Sequence, residues 1–332
     1  MAIRLLFTGG TLSDADKSKI ESLGYDLVIE RADLTEDELF NVVKDIDVYI
    51  LGGAEKASRR VLDAASQLKI LAFFGVGYQS FVDINAATLN GIAVTNTPGA
   101  NAISVAEFTI SLIVDAVKKV TYLANQVKRE KWMEYRTWNL RGKTLGILGM
   151  GNIGSRVAKI AFEGFGMKII YSSRTPKPDK ESELSAHKVP LDELFKLSDV
   201  ISIHAAYDKE TIGIVGAREL SLMKPTAVLV NAARAELVDP VALASALING
   251  KIAAAAMDGY YIEPTPQIEK DQYSLLKLPD DKLIVTPHTA YLTEDSMTTM
   301  LDMCLESIAN LLKDKHDKNV VNPDFVRNSR LK

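Results

Sequence analysis

Residues 144–165 read TLGILGMGNIGSRVAKIAFEGF, an apolar run, three spaced glycines and then an amphipathic stretch. Residues 144–148 have the length and composition of a buried strand, and 155–165 carry the spacing of a helix with one apolar face. Between them, Gly149 permits a tight turn, Gly151 lets a backbone approach a pyrophosphate, and Gly154 lets helix and strand pack closely. A phosphate would then rest on unpaired N–H groups at the helix N-terminus, where the macrodipole favours negative charge. Three glycines alone are a weak signal, but here the strand precedes and the helix follows, as the motif requires. The reading is dinucleotide binding rather than a purely structural turn.

An acid that holds the ribose diol is expected about twenty residues further on, at the end of the second strand. That place is occupied by Tyr171-Ser172-Ser173-Arg174-Thr175, with no Asp or Glu. Hydroxyls and a guanidinium suit a 2′-phosphate better than a bare 2′-hydroxyl, so NADP(H) is the preferred cofactor and NAD(H) the alternative. The plainer reading of Arg174, a solvated loop charge, stays open.

Further strands follow the glycine loop, in MKIIYSS, DVISIHA, AVLVNAA, AAAAMDG and LIVTPHT, separated by helical patterns. Before it, the first hundred residues also alternate short apolar runs with amphipathic stretches, beginning at IRLLFTG. Strands alternating with helices indicate βαβ units and parallel sheets covered on both faces. Residues 104–132 form one long helical segment, with Ser104 as N-cap and Glu107 three residues on, the pattern of a capping box. A last helical stretch covers about 294–314. A chain of 332 residues exceeds the usual size of a single core, so two successive α/β blocks are expected.

With 47% apolar and 25% charged residues and a net charge of −4, the composition is globular and offers no basic field for nucleic acid or anionic membrane. No stretch is long and apolar enough to span a bilayer, and the N-terminal apolar run is too short for a secretory segment. The lone Cys304 has no intrachain partner, which suits a reducing cytoplasm. No metal site is expected. The partners implied are a small molecule and further copies of the chain.

Reactive side chains collect at three strand ends of the second block: Asn231-Ala232-Ala233-Arg234, Met257-Asp258 through Glu263-Pro264, and Thr286-Pro287-His288. Open α/β sheets place ligands at strand ends. A single histidine or arginine there is more often structural or solvated. Together the three segments offer what reduction of a keto acid needs: a cation for carboxylate and carbonyl, a proton donor for the alkoxide, and a carboxylate that keeps the donor protonated.

These motifs, with GVGYQSFVDINAATLNGIAVTNTPGANAISVAE (75–107), LRGKTLGILGMGNIGSRVA (140–158), LMKPTAVLVNAARAELVDPVALASAL (222–247), MDGYYIEPTP (257–266), TPHTAYLT (286–293) and VVNPD (320–324), occur in an order that resembles the D-isomer-specific 2-hydroxyacid dehydrogenase family. The likeness is to its glyoxylate/hydroxypyruvate reductase-like members. It implies Arg234 as the carboxylate- and carbonyl-binding arginine, His288 as acid/base and Glu263 as its carboxylate partner. It implies Val76 and Gly77 as amides for the substrate carboxylate, and Tyr291 as a position where substrate size is set. Met150, Asn152 and Ile153 would line the pyrophosphate and adenosine side, Asp258 would face the nicotinamide side, and Ala232, Arg234 and His288 would also contact the cofactor. The implied fold has two doubly wound parallel-sheet domains: a flavodoxin-like substrate domain, 1–101 with 291–332, and an inserted Rossmann cofactor domain, 102–290. A homodimer is implied as well.

Ala235 stands where the family usually has glycine, and Ala206 where proline is common after His204. Neither removes a reactive group. Alternatives within the fold are a dehydrogenase of a larger or phosphonate-bearing 2-hydroxy acid and a non-catalytic dinucleotide-sensing scaffold.

Overall fold

The computed structural model describes residues 2–9, 12–263 and 265–331, so Gly10 of the N-terminal turn and Pro264 lie outside the described residues. The chain divides into two compact units, residues 1–101 with 294–332, and residues 102–293. The second division falls at the start of the last long helix, three residues beyond 290/291, so Tyr291 belongs with His288 in the second unit.

In the first unit five strands, β1 (Ile3–Thr8), β2 (Tyr25–Glu30), β3 (Val48–Leu51), β4 (Ile70–Phe73) and β5 (Ala93–Thr95), lie in the order β2-β1-β3-β4-β5. Every neighbouring pair is parallel, and this is the flavodoxin-like order. β3, β4 and β5 are buried along their whole length, as strands covered on both faces must be. The helix starts before β5 in this unit are fixed by side-chain caps. Ser13 pairs reciprocally with Asp16 and Thr35 with Glu38, while Ser58 and Asp83 each accept an N–H of the first turn. The helix Glu294–Asp314 packs on β4, with Cys304 buried there. Beyond it Asn322 acts as a clasp: its side chain accepts the Val94 N–H at 2.8 Å and donates to the Ile92 carbonyl at 2.9 Å.

The second unit holds β6 (Thr144–Leu148), β7 (Lys168–Ser172), β8 (His187–Lys188), β9 (Val200–Ile203), β10 (Val228–Asn231), β11 (Ala254–Asp258) and β12 (Leu283–Thr286). Their order is β12-β11-β10-β9-β6-β7-β8, with parallel neighbours throughout. Counted from β6 this is the 3-2-1-4-5-6 order of a dinucleotide-binding sheet with a seventh strand added. The short β8 is exposed and polar, and so has no apolar run by which a sequence could announce it. The chain leaves β6 for β7 on one side while β9 lies on the other, so the glycine turn sits at the topological switch point.

The long helical segment differs from expectation. The helix begins at Ala102, so Ser104 lies inside it, buried, and donates to the Ala290 carbonyl at 2.6 Å instead of capping. At Lys119 the backbone turns left-handed, with φ of 59°, and a separate helix, Val120–Lys128, follows. Desolvation lowers the Lys119 ammonium pKa, and its Nζ reaches the Asp281 carbonyl. A tertiary acceptor for one side chain and a tertiary seat for the other have overridden the local pattern. Among the described residues no helix is long and apolar enough to cross a membrane.

Candidate active site

The glycine turn after β6 is shaped by what a side chain would meet. Gly149 has φ of +98°, and a Cβ there would lie 2.6 Å from the backbone of His204 and Ala205. At Gly154 a Cβ would lie 2.2 Å from the Gly149 carbonyl oxygen, which explains why helix Asn152–Phe165 can start against the strand. Gly151 differs from both, since nothing stands within 4 Å of a Cβ placed on it. It caps the helix without any side-chain hydrogen bond to the first turn. A glycine facing open space and helix amides without a side-chain cap fit a dinucleotide pyrophosphate. Asn152 is exposed and Ile153 partly so, whereas the Met150 side chain is buried in the core beneath, which leaves only its backbone for a ligand.

At the end of β7, Ser172 and Ser173 are partly buried and Arg174 and Thr175 exposed. Ser173 donates to the Thr175 carbonyl at 2.7 Å. Arg174 is not a free loop charge: its Nη2 pairs with Asp208 and stands 3.4 Å from Glu210, both from the loop after β9. The hydrogen bond and charge of Asp208 raise the Arg174 pKa further. The same loop begins at His204, whose Nε2 meets Ser202 Oγ at 2.8 Å and whose ring is pushed down to about 3 by burial.

The loops after β10, β11 and β12 come together in the second unit because those three strands are neighbours. Asn231, buried at the end of β10, donates to the Arg234 carbonyl at 2.8 Å and accepts the Ala233 N–H at 3.1 Å, which fixes the loop that carries Ala232 and Arg234. Ala235 opens a 3₁₀ turn, Ala235–Leu237, and is not among the residues with positive φ, so the absent glycine costs no strain. Arg234 Nη1 lies 3.1 Å from His288 Nε2, and His288 Nδ1 lies 3.0 Å from Glu263 Oε2. A guanidinium only donates, so in this geometry Nε2 accepts and the ring proton sits on Nδ1, facing the carboxylate.

Burial alone would raise the Glu263 carboxyl. The hydrogen bond and charge of His288, the Tyr260 N–H and the Arg234 charge outweigh it and hold the group below its ordinary value. The Tyr291 ring meets the His288 ring edge-on, with centroids 6.2 Å apart.

Asp258, expected to face the nicotinamide side, has both oxygens engaged by the loop that carries His288. Oδ1 accepts Thr286 Oγ1 at 2.7 Å and the Thr289 N–H at 3.0 Å, and Oδ2 accepts the Ala290 N–H at 2.8 Å. His288 itself is left-handed, φ 56°, a conformation that its neighbours must enforce in a residue with a Cβ. Gly259, which the sequence reading passed over, has φ of 101°, and a Cβ there would stand 2.7 Å from Glu263 Oε1. The Asp-Gly pair at a strand end was the available signal. Val76 and Gly77 belong to the first unit, in the loop after β4.

Comparison with known proteins bears on this arrangement. A family model described as D-isomer specific 2-hydroxyacid dehydrogenase, NAD binding domain, matches residues 110–290, more than half of the chain. A glyoxylate reductase from Aeropyrum pernix is 41% identical over 300 residues, 88% of this chain and 87% of that protein. Another from Thermococcus litoralis is 36% identical over 300 residues, 88% of each. Among solved structures, the apo form of D-lactate dehydrogenase from Escherichia coli has a TM-score of 0.83 at 26% identity, covering 96% of this chain and 100% of that one.

Proposed function

The chain belongs to the D-isomer specific 2-hydroxyacid dehydrogenase family and is an NAD(P)-dependent oxidoreductase, and from that premise we propose that it reduces glyoxylate or hydroxypyruvate to the corresponding 2-hydroxy acid, with NADPH preferred to NADH. The observation that carries the reading is the continuous Arg234–His288–Glu263 arrangement. The reduced nicotinamide supplies the hydride that the carbonyl carbon takes up. Arg234 pairs with the substrate carboxylate and polarises the carbonyl, and His288, protonated at Nε2, gives that proton to the oxygen as it becomes an alkoxide. Protonation of Nε2 removes its ability to accept from Arg234, so both donors are released toward the same substrate oxygen. Glu263 offsets the charge of the imidazolium and orients it through Nδ1. Tyr291, beside the imidazole, is the residue assigned to limit the size of the substrate side chain.

Gly149, Gly151 and Gly154, with the amides of Met150, Asn152 and Ile153, are assigned to the pyrophosphate. Ser172, Ser173, Arg174 and Thr175 are assigned to the adenosine ribose, where the lack of an acid at the end of β7 favours a 2′-phosphate. Ala232 and Asp258 are assigned to the nicotinamide side, and Val76 and Gly77 to the substrate carboxylate. The exposed Trp132, Val120 and Val127 support a homodimer formed through residues 120–133. A single buried cysteine with no disulfide supports a cytoplasmic setting.

The test is oxidation of NADPH by the purified protein against glyoxylate, hydroxypyruvate, pyruvate and bulkier 2-keto acids. The highest kcat/KM is expected for one of the first two. Best turnover of a bulky or phosphonate-bearing acid would overturn the substrate assignment. Binding of NADPH without turnover of any of them would favour a dinucleotide-sensing role instead.

A further inference from the structure

The end of β7 lacks an acid, yet a carboxylate occupies the neighbourhood, delivered from another strand. β7 and β9 both flank β6, and the loop that leaves β9 crosses close over the glycine turn, within 2.6 Å of where a Gly149 Cβ would stand. Four residues past His204 this loop presents Asp208 to Arg174. We infer that Asp208 is a determinant of cofactor choice, its carboxylate competing with a ribose 2′-phosphate for Arg174 and so limiting the preference for NADPH. This rests on the assignment of Arg174 to the adenosine ribose made above.

The carboxylate is held in place rather than left to wander. Its Oδ1 accepts the N–H of Glu210 at 2.9 Å and of Thr211 at 3.1 Å. Thr211 Oγ1 accepts the Asp208 N–H at 2.8 Å and donates to the Ala206 carbonyl at 2.7 Å. Oδ2 is thereby directed at the guanidinium. Arg174 also holds the Asp208 carboxyl below its ordinary value, so the competing charge is present at neutral pH. Glu210 is the lesser competitor, since its side chain is 84% exposed and its carboxylate stands farther from the guanidinium, at 3.4 Å. A 2′-phosphate that reaches Arg174 must displace a fixed negative charge or lie beside it, and discrimination by a repulsive neighbour is as effective as a missing attraction. A bare 2′-hydroxyl meets no such penalty, because Oδ2 can accept its proton.

Asp208→Asn keeps the side-chain shape and the Oδ1 acceptor, removes the charge and turns the Oδ2 position into an amide donor. The test is calorimetric titration of the full chain at low ionic strength with 2′,5′-ADP and with 5′-AMP. It compares wild type, D208N, R174A and the double variant, with thermal melting to verify folding and D208T as a second replacement. Removal of an exposed like charge is expected to tighten 2′,5′-ADP binding roughly three- to tenfold while 5′-AMP stays within about twofold. In the R174A background the gain should vanish, because the competition is for that guanidinium. An unchanged 2′,5′-ADP affinity in D208N and D208T, or an equal gain without Arg174, would overturn the inference. A wild type that binds 5′-AMP more tightly than 2′,5′-ADP would overturn the NADPH preference alone, and a D208N gain on that background would name Asp208 as the cause.

Discussion

The imidazole of His288 and the carboxylate of Glu263, 25 residues apart, meet at 3.0 Å because Gly259 leaves out the one Cβ that would stand between strand end and carboxylate. Glu263 is held below the ordinary carboxylate value, so the stability this contact contributes is present at neutral pH and is lost as pH falls through the carboxylate range. The same negative charge offsets the imidazolium through which His288 donates. Glu263→Gln is therefore expected to move the alkaline limb of the reduction profile to lower pH, and His288→Ala to abolish most reduction at every pH. Steady-state kcat/KM between pH 5 and 10 checks this, and an unmoved alkaline limb in the Gln variant would show that another group governs the proton donor.

Arg234→Ala should separate substrate from cofactor. Loss of one partner from a desolvated charge pair costs roughly 2–5 kcal/mol, which amounts to about one and a half to three and a half decades in kcat/KM. NADPH affinity, followed by its fluorescence, should change far less than keto-acid kcat/KM. Near-normal kcat/KM in the variant would remove Arg234 from the role of anchor.

The glycine turn supplies a paired test in which folding and binding respond differently. Gly149→Ala forces a Cβ into backbone at a positive φ and should lower the melting temperature along with cofactor affinity. Gly151→Ala places its Cβ in open space, so the melting temperature of the apo-protein should hold while NADPH binding weakens. A Gly151→Ala protein that bound NADPH as tightly as wild type would place the pyrophosphate elsewhere.

Light scattering at micromolar concentration should give twice the 36.4 kDa chain mass. Replacement of Trp132, 90% exposed, by Glu should shift that mass toward the monomer. A wild-type mass of one chain would refute the dimer.

The sequence carried the parts of the fold that depend on local pattern. The strand, the three glycines and the helix of residues 144–165 stand where their spacing put them, and so do Arg234, Glu263 and His288 at successive strand ends. What it could not carry depends on partners far along the chain. Ser104 reads as an N-cap until the Ala290 carbonyl takes its hydroxyl. Asp258 reads as a ligand-facing acid, with no sign that the N–H groups of Thr289 and Ala290, 31 and 32 residues on, also bond to it. Arg174 reads as solvated or phosphate-seeking until Asp208, 34 residues away, is brought beside it. In each case the side chain type was informative and its occupant was not, because the competing acceptor or donor arrives only when strands have been ordered.

β12 is the outermost strand of its sheet, paired on one side only and partly exposed over three of its four residues. The loop that bears His288 hangs from it. Edge strands fray at a lower free energy than the sheet as a whole unfolds, so an edge strand carries the proton donor, and competence for chemistry has a smaller reserve than the fold does. In a urea titration of the apo-protein, activity assayed at each concentration should fall before far-ultraviolet ellipticity does, and coincident curves would show that β12 is secured as firmly as the strands at the centre.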